Sequence, residues 1–241
     1  MSDLPEALAA KVRRTTALLG EAAALGVTAL ASSLSAEDMV VTHIIVAEGL
    51  AISVFTLETG RLAPETLGMI DKITAHWAIP VEVYRPDAEA VAAYVTANGR
   101  DGFYESVELR KACCGVRKVE PLKRALAGKA AWITGQRRDQ SVTRVDLQYR
   151  EHDAVHGLEK FNPLADWSWD DVLAYVAWRA IPINPLHARG YPSIGCDPCT
   201  RAIRPGEDPR AGRWWWEQSD SKECGLHVSE LPTHTLIGAR P

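Results

Sequence analysis

The stretch Val27-Thr-Ala-Leu-Ala-Ser-Ser-Leu-Ser-Ala-Glu-Asp38 holds an apolar run, a serine-rich turn and the start of a helical segment that continues to Leu50. The run Val27–Ala31 has the length of a buried strand. A second apolar run, Ile52–Leu57, follows the helical segment and ends in the polar loop Glu58-Thr59-Gly60. A strand, a helix and another strand in this order predict a βαβ unit, which places the two strands parallel in one sheet.

The rest of the chain continues the alternation. We predict further helices at Leu4–Leu25 (one or two), Pro64–Trp77 and Asp166–Arg179, and further strands at Val81–Tyr84 and Ala130–Thr134. This pattern indicates an α/β fold with a mostly parallel sheet flanked by helices. Ligands of such folds bind at the carboxyl ends of strands, where the polar loops after Ala31, Leu57 and Thr134 fall.

Six prolines between Ile181 and Arg210 exclude long helices and central strands there, so a loop-rich C-terminal segment is expected. Tryptophans and cysteines in this segment argue that it is ordered. We therefore expect one α/β domain over residues 1–217, followed by a tail over 218–241.

Composition narrows the class of protein. The 241 residues are 46% hydrophobic and 24% charged, with a formal net charge of −4, which does not favour a nucleic-acid partner. There is no apolar run of eighteen residues and no signal-peptide layout, so we expect no membrane span and a cytoplasmic location. Cytoplasmic thiols stay reduced, and the five cysteines are therefore expected to bind metal or act in catalysis.

Four of the cysteines form two pairs, the tandem Cys113-Cys114 and the Cys196-Asp-Pro-Cys199 motif. Thiolates at four positions suit zinc or an iron–sulfur cluster. Adjacent ligands are unusual for structural zinc, whereas a cubane cluster offers separated iron corners, so the spacing favours iron–sulfur. A redox dithiol and a vicinal disulfide are the alternatives.

The fifth cysteine, Cys224, lies apart in Lys222-Glu-Cys-Gly-Leu-His227. Lys222 and His227 would favour its thiolate form, as in a nucleophile. A free cysteine is also often an inert buried residue. Local chemistry leaves these two interpretations about equal.

Several separated motifs together resemble the assimilatory adenylylsulfate (APS) reductases, in the family's order from about Thr28 to about His227. They are Ser33–Asp38, Leu57–Gly60 with Pro64-Glu-Thr66, Cys113–Leu122, Gly135–Ser141, Cys196–Arg201 and Lys222–His227. Relatives that reduce 3′-phosphoadenylylsulfate (PAPS) generally share the last motif but lack the two cysteine pairs. The presence of both pairs therefore favours APS as the substrate.

The resemblance implies a modified PP-loop fold, similar to the adenine nucleotide alpha hydrolases. It implies that Cys113, Cys114, Cys196 and Cys199 hold a 4Fe–4S cluster that does not change redox state. The Cys224 thiolate would attack the sulfur of APS, displacing AMP and leaving a Cys224 S-sulfonate, which thioredoxin would reduce to release sulfite. Family members form dimers or tetramers, so a homo-oligomer is expected.

The resemblance also implies a set of substrate contacts. Ser33 and Ser35 would donate to the nucleotide while Asp38 shapes the loop, although the same residues suit an ordinary helix cap. The remaining positions are Thr59 and Gly60 near the ribose, Gly135 at the adenine side, Arg144 at the nucleotide or sulfate, and Lys118, Arg210 and Arg213 at the phosphosulfate. A doubly charged anion suits such cations, but surface charge and, for Arg137 and Arg138, structural ion pairs are the alternatives.

Three other functions are alternatives to APS reduction. PAPS reduction is the nearest alternative. A PP-loop iron–sulfur enzyme of sulfur transfer would carry Ser-Gly-Gly-x-Asp-Ser, whereas Ser33–Asp38 has no glycine. A zinc-binding module explains four cysteines but neither Cys224 nor the nucleotide loops.

Overall fold

A computed structural model describes residues 4–141 and 144–217 and contains a six-stranded sheet. The strands are β1 (Thr28–Ser32), β2 (Ile52–Leu57), β3 (Val81–Tyr84), β4 (Ala131–Ile133), β5 (Arg150–Asp153) and β6 (Leu158–Phe161), in the spatial order β3-β2-β1-β4-β6-β5. All neighbouring pairs are parallel except β5 and β6. The predicted α/β fold with a mostly parallel sheet is confirmed.

Seven helices accompany the sheet in the described residues: α1 (Glu6–Ala24), α2 (Ala36–Ala47), α3 (Pro64–Trp77), α4 (Ala88–Asn98), α5 (Val107–Cys114), α6 (Glu120–Leu126) and α7 (Trp169–Arg179). One turn of π-helix, Gly115–Val119, joins α5 to α6. No described helix is long and apolar enough to cross a membrane.

The two faces of the sheet pack against different helices. Leu30 and Val54 belong to a large core with α1, α2, α3 and α7. Ala29 and Phe55, one position along their strands, pack on the other face with α6 and Trp132. Alternate residues of a strand point to opposite faces, which explains why both positions are apolar in a sheet covered on both sides.

The four predicted strands and the four predicted helical regions are all present, with ends shifted by a few residues. Ser168 caps α7: its hydroxyl accepts from Asp171 N at 3.1 Å, and the Asp171 carboxylate accepts from Ser168 N at 2.8 Å. From Ile181 to 217 the structure has only single 3₁₀ turns, at His187–Arg189 and Asp197–Cys199, in agreement with the prolines. Cys224 and the predicted tail lie outside the described residues.

Candidate functional site

The loop between β1 and α2 is closed by the carboxylate of Asp38. Its Oδ2 accepts hydrogen bonds from the backbone N and from Oγ of Ser33, both at 2.6 Å. Leu34, between them, has a φ of 65°, a strained value for a side chain of this kind. Burial raises the pKa of Asp38 from 3.8 to about 7, with Ser33 opposing that rise. Asp38 therefore shapes this loop through Ser33.

Ser35 is the N-cap residue of α2, and it makes no side-chain capping bond within the described chain. It lines the same cavity as Ser33. A helix N-terminus presents unpaired backbone N–H groups and suits anions. The side chains of this segment therefore do not form the simple Ser-x-x-Asp cap that was the alternative interpretation.

Gly135, directly after β4, approaches the start of α2 very closely. A Cβ at this position would overlap Asp38 Oδ1 and lie 3.0 Å from the Cβ of Glu37. A backbone hydrogen bond from Gly135 also reaches the Asp38 carboxylate. The absence of a side chain at 135 thus allows the loops after β1 and β4 to meet.

A buried ion pair joins the same two loops. Glu37 Oε1 accepts from Arg137 Nε at 3.1 Å and Nη2 at 3.0 Å, and from Gln140 Nε2 at 2.9 Å. Both charged side chains are 6% exposed. Arg137 is therefore a structural ion-pair partner, which is one of the two roles predicted for it. Arg138 forms no such pair with Glu37; its Nε donates to the carbonyl of Leu147 at 2.9 Å.

His187 holds the first turn of α2 from the C-terminal side. Its Nε2 accepts from the backbone N of Ala36 at 3.1 Å, and its Nδ1 lies 2.9 Å from the carbonyl oxygen of Tyr191. This pairing requires a neutral ring with the proton on Nδ1. Burial lowers the pKa of His187, against an opposing effect of Glu37, which favours that neutral form.

A cavity of about 310 Å³ opens at the carboxyl ends of β1, β2 and β4. Nine of the ten predicted substrate residues line it: Ser33, Ser35, Asp38, Thr59, Lys118, Gly135, Arg144, Arg210 and Arg213. The tenth, Gly60, is next to the lining residue Thr59 and has a φ of 71°. The predicted residues, separated by up to 180 positions, are therefore brought together.

The cavity has an apolar wall and a cationic part. Phe55, Leu57, Leu122 and Trp132 form the wall. Besides Arg137, whose charge is paired with Glu37, four cations lie around the cavity, Lys118, Arg144, Arg210 and Arg213. An apolar surface beside a group of cations is suited to a ligand with a flat base at one end and negative charge at the other.

Arg213 is buried although it is charged. Its Nη1 donates to the carbonyl of Ile194 at 3.1 Å, and its guanidinium lies 4.7 Å from the ring centroid of Trp214. Its Nε has no hydrogen-bond partner among the described residues. A Cβ at Gly195 would overlap the guanidinium, so glycine is needed where this arginine passes. These contacts exclude the interpretation of Arg213 as surface charge.

The four paired cysteines lie around a second, smaller cavity next to the first. Cys114, Cys196 and Cys199 are buried, Cys113 is half-buried, and none of the four forms a disulfide. A vicinal disulfide between Cys113 and Cys114 is therefore excluded in this structure. No three His, Cys, Asp or Glu side chains within residues 4–141 and 144–217 are arranged around a single metal ion.

The loop after β2 separates the two cavities. Thr59 Oγ1 lies 3.2 Å from Cys196 Sγ, and the backbone N of Asp197 donates to the carbonyl of Arg61 at 2.7 Å. Arg117, in the π-helical turn, donates to the carbonyl of Thr59 at 2.7 Å and also hydrogen-bonds Cys113. The predicted ribose loop is thus held directly by the cysteine region.

The backbone changes form where the tandem cysteines occur. Cys113 and Cys114 are the last residues of α5, and the π-helical turn begins at Gly115. Such turns are rare in helices and often occur at functional sites. Adjacent side chains of a regular helix diverge by about 100°, so a change of backbone form at this point bears on the directions of both thiols.

Burial disfavours free thiolates in this region. Burial raises the pKa of Cys113. Burial, and to a smaller extent the neighbouring Cys196, raises the pKa of Cys199 to about 12. A reactive dithiol requires a thiol of lowered pKa. Cys199 therefore does not have the environment of a reactive thiol.

Two residues line both cavities, Lys118 and Trp214. Trp214 is almost fully buried and lies between Arg110 and Arg213, whose guanidinium carbons are 4.6 and 4.7 Å from its ring centroid. Trp214 is therefore a packing residue of this region. The side chain of Trp215, in contrast, is 48% exposed.

Sequence reasoning did not find Glu37, Gln136 or His187 as parts of this site. Glu37 and His187 act through partners about 100 and 150 residues away, which no local pattern reveals. The Gly135–Ser141 motif contains Gln136, but the motif alone does not show that this residue lines the cavity.

Comparisons with known proteins agree with this arrangement. Residues 28–202 match the family model of the phosphoadenosine phosphosulfate reductase domain. A protein of Burkholderia cepacia named adenosine 5′-phosphosulfate reductase is 57% identical over 96% of this chain and 94% of its own length. One of the same name from Allochromatium vinosum is 60% identical over 83% of this chain and 78% of its own.

A solved structure shows the same fold at lower sequence similarity. The phosphoadenylyl-sulfate reductase of Candida auris, a phosphate complex, superposes with a TM-score of 0.67 and 23% identity, over 84% of this chain and 99% of its own. Because the family model matches most of the chain, this chain belongs to the phosphoadenosine phosphosulfate reductase domain family.

Proposed function

We propose that this protein reduces APS to sulfite and AMP in sulfate assimilation, with thioredoxin as the reductant. The observation that carries the proposal is the cavity, in which an apolar wall, the N-terminus of α2 and four cations meet next to four cysteines. Relatives 57% and 60% identical to the chain are named for this substrate, which supports APS over other nucleotides.

The chain's own residues divide the work of binding. The wall around Phe55 and Trp132 accepts the adenine, while Ser35, at the N-terminus of α2, faces an anion. Lys118, Arg144, Arg210 and Arg213 neutralise the phosphosulfate. Neutralising the phosphate stabilises AMP as it leaves, because negative charge develops on the oxygen that joins phosphorus to sulfur.

The first chemical step uses Cys224, which lies outside the described residues. Its thiolate attacks the sulfur atom of APS, an S–S bond forms, and the bond between sulfur and the bridging oxygen breaks. AMP leaves with the electron pair of that bond. The product on the enzyme is Cys224 S-sulfonate.

The second step returns the enzyme to its thiol form. A thiolate of reduced thioredoxin attacks the sulfur atom of Cys224, and sulfite leaves with the electron pair of the S–S bond. The second thioredoxin thiol then attacks the mixed disulfide, which releases Cys224 and leaves oxidised thioredoxin. Thioredoxin supplies both electrons, so no other electron donor is needed.

The chemistry of the four paired cysteines fits a 4Fe–4S cluster. Thiols that burial holds protonated become thiolates when they bind iron, and Lys118 and Arg117 lie beside them to balance the negative charge. Adjacent ligands such as Cys113 and Cys114 are unusual for structural zinc, and this spacing supports a centre with several metal atoms over a single zinc ion. When bound, such a cluster would supply fixed charge and would organise the loop of Thr59.

The test measures sulfite released from APS by the purified full-length protein with reduced thioredoxin. We expect turnover with APS, much slower turnover with PAPS, and none with Cys224→Ser. The matched control is AMP binding, which Cys224→Ser should retain. Normal turnover by Cys224→Ser would refute the nucleophile, and equal rates with both nucleotides would refute the substrate assignment.

A further inference from the structure

Gln136 is a buried polar residue that none of the contacts above explains. It follows Gly135 beyond β4, lines the large cavity and is 6% exposed. Its Oε1 is buried and has no hydrogen-bond partner among the described residues. An unpaired buried acceptor costs free energy that an apolar side chain of similar size would not cost. Polar groups in this condition are typical of functional sites.

The position of Gln136 relates it to the apolar wall. Trp132, in β4, and Thr134 and Gln136, in the loop that follows it, all line the cavity. Trp132 is part of the wall. The four cations assigned to the phosphosulfate come from other parts of the chain, namely the π-helical turn, residue 144 and the loop that contains Arg210 and Arg213. The neighbouring Arg137 also lines the cavity, but its charge is paired with Glu37. Gln136 thus lies three residues beyond the end of the strand that supplies Trp132 to the wall.

We propose that the Gln136 carboxamide binds the adenosine half of the nucleotide, with Oε1 accepting a hydrogen bond from it. This inference rests on the proposed function. A carbonyl oxygen only accepts hydrogen bonds, and the ionised phosphate and sulfate oxygens of APS also only accept. The donors of APS are the adenine amino group and the two ribose hydroxyls. Gln136 therefore recognises the adenosine end, and the four cations recognise the phosphosulfate.

The proposal makes two predictions of opposite sign for Gln136→Leu. The midpoint of thermal unfolding should rise, because the unpaired acceptor is gone. Binding of AMP should weaken about tenfold, the ratio expected for one hydrogen bond of ordinary strength. A residue with only a structural role would not show this combination. Gln136→Met, with an unbranched side chain, should behave in the same way.

The experiment measures dissociation constants of AMP by calorimetry on the full-length protein as isolated. Three further ligands each lack one donor: purine riboside 5′-monophosphate, 2′-deoxy-AMP and 3′-deoxy-AMP. One of them should bind the wild type about tenfold more weakly than AMP does, yet bind Gln136→Leu as well as AMP does. Gln148→Leu is the matched control, since Gln148 is exposed and donates to the carbonyl of Asp146 outside the cavity.

Each outcome decides between the inference and the function on which it rests. Unchanged AMP affinity in both Gln136→Leu and Gln136→Met would overturn the inference, while AMP binding by the wild type would keep the nucleotide site. Equal losses for AMP and all three analogues, with a lower midpoint of unfolding, would assign Gln136 a structural role and also overturn it. Failure of the wild type to bind AMP would overturn the proposed function itself.

Discussion

At the residue scale, the site depends on a close contact between Gly135 and the two acidic residues that begin α2. Asp38 uses its carboxylate to hold Ser33 and receives a backbone hydrogen bond from Gly135. The carboxylate is therefore occupied by the protein, and its effect on a ligand is to position Ser33 and the loop. Substitutions at 135 and 38 test the two sides of this contact separately.

Gly135→Ala should destabilise the protein, because the new Cβ would overlap Asp38 Oδ1. Overpacking of this kind costs about 1–3 kcal/mol in the free energy of unfolding, and the displaced loop should bind AMP more weakly. Gly68→Ala, within α3, is the control: its Cβ would meet no atom within 4 Å, and alanine in a helix should add up to about 1 kcal/mol. Urea unfolding and AMP titration measure both. Unchanged stability of Gly135→Ala would contradict the contact.

Asp38→Asn should change the dependence of stability on pH. Because the pKa of Asp38 is higher in the folded state, about 7 against 3.8, the folded protein binds this proton more tightly than the unfolded chain does. The stabilisation is complete below the unfolded pKa and is lost as the pH rises through 7. Between pH 5 and pH 8 the wild type should lose on the order of 3 kcal/mol by this route, at 1.36 kcal/mol per pKa unit.

Asparagine does not titrate, so Asp38→Asn should lack this part of the pH dependence. Urea unfolding of both proteins at pH 5 and at pH 8 gives the comparison. If the two free energies of unfolding fell in parallel over this range, Asp38 would not be the titrating group.

Much of the site at this scale was predictable, because charged and small residues recur in recognisable motifs. All ten substrate positions and the four paired cysteines were named from the sequence. Nine of the ten positions line the large cavity, and the four cysteines line the smaller cavity beside it. Gln136 and His187 were not found, because their significance depends on what surrounds them in the folded chain. An unpaired acceptor, or a histidine paired with Ala36 from 151 residues away, has no sequence pattern.

At the scale of elements, the N-terminus of α2 is held from two directions. The loop after β4 supplies Arg137 to Glu37, and the C-terminal region supplies His187 to Ala36. The first contact is buried and the second is partly buried. The position of α2 relative to the sheet is therefore set by segments on both sides of it, and the anion-binding end of the helix is fixed before a ligand arrives.

Arg137→Ala should be strongly destabilising, because it leaves the carboxylate of Glu37 buried without its counter-charge. Removing one partner of a buried pair costs about 3–5 kcal/mol. Arg13→Ala is the matched control: Arg13 pairs with Glu6 at 2.7 Å, but the two side chains are 64% and 83% exposed. An exposed pair contributes about 0–1 kcal/mol. Equal losses for the two variants in urea unfolding would contradict a special role for the buried pair.

The elements were predictable where apolar pattern alone determined them. The strands β1 to β4 are buried or half-buried and have apolar runs. The strand β5, Arg-Glu-His-Asp, lies at the edge of the sheet and is partly exposed, so hydrophobicity did not mark it. Its antiparallel pairing with β6 depends on that neighbouring strand and not on a pattern within β5 itself. The π-helical turn had no sequence signal beyond the tandem cysteines.

At the scale of the whole molecule, the sheet and the C-terminal region enclose the site between them. A buried ion pair, 2.8 Å long, connects Arg110 of α5 to Glu217, with side-chain exposures of 1% and 3%. It joins the helix of Cys113 and Cys114 to a residue seven positions before Cys224. The four paired cysteines and Cys224 are expected to have separate tasks.

If the paired cysteines and Cys224 have separate tasks, substituting a cysteine of each group should remove a different property of the protein. Cys199→Ser should lose most of the iron and inorganic sulfide of the purified protein, together with its absorbance in the visible range and part of its stability, because a buried serine is a poor ligand for iron. Cys224→Ser should keep iron and sulfide at the wild-type ratio while losing sulfite release. Iron, sulfide and zinc are measured on the same samples.

Cys224→Ser is therefore the control for Cys199→Ser, since each removes one thiol from the same chain. Full iron content in Cys199→Ser would show that this cysteine is not a ligand. Zinc in place of iron in the wild type would favour a single-ion site, although the described residues form none. Loss of iron in both variants would mean that Cys224 belongs with the other four, and the nucleophile would then have to be sought elsewhere.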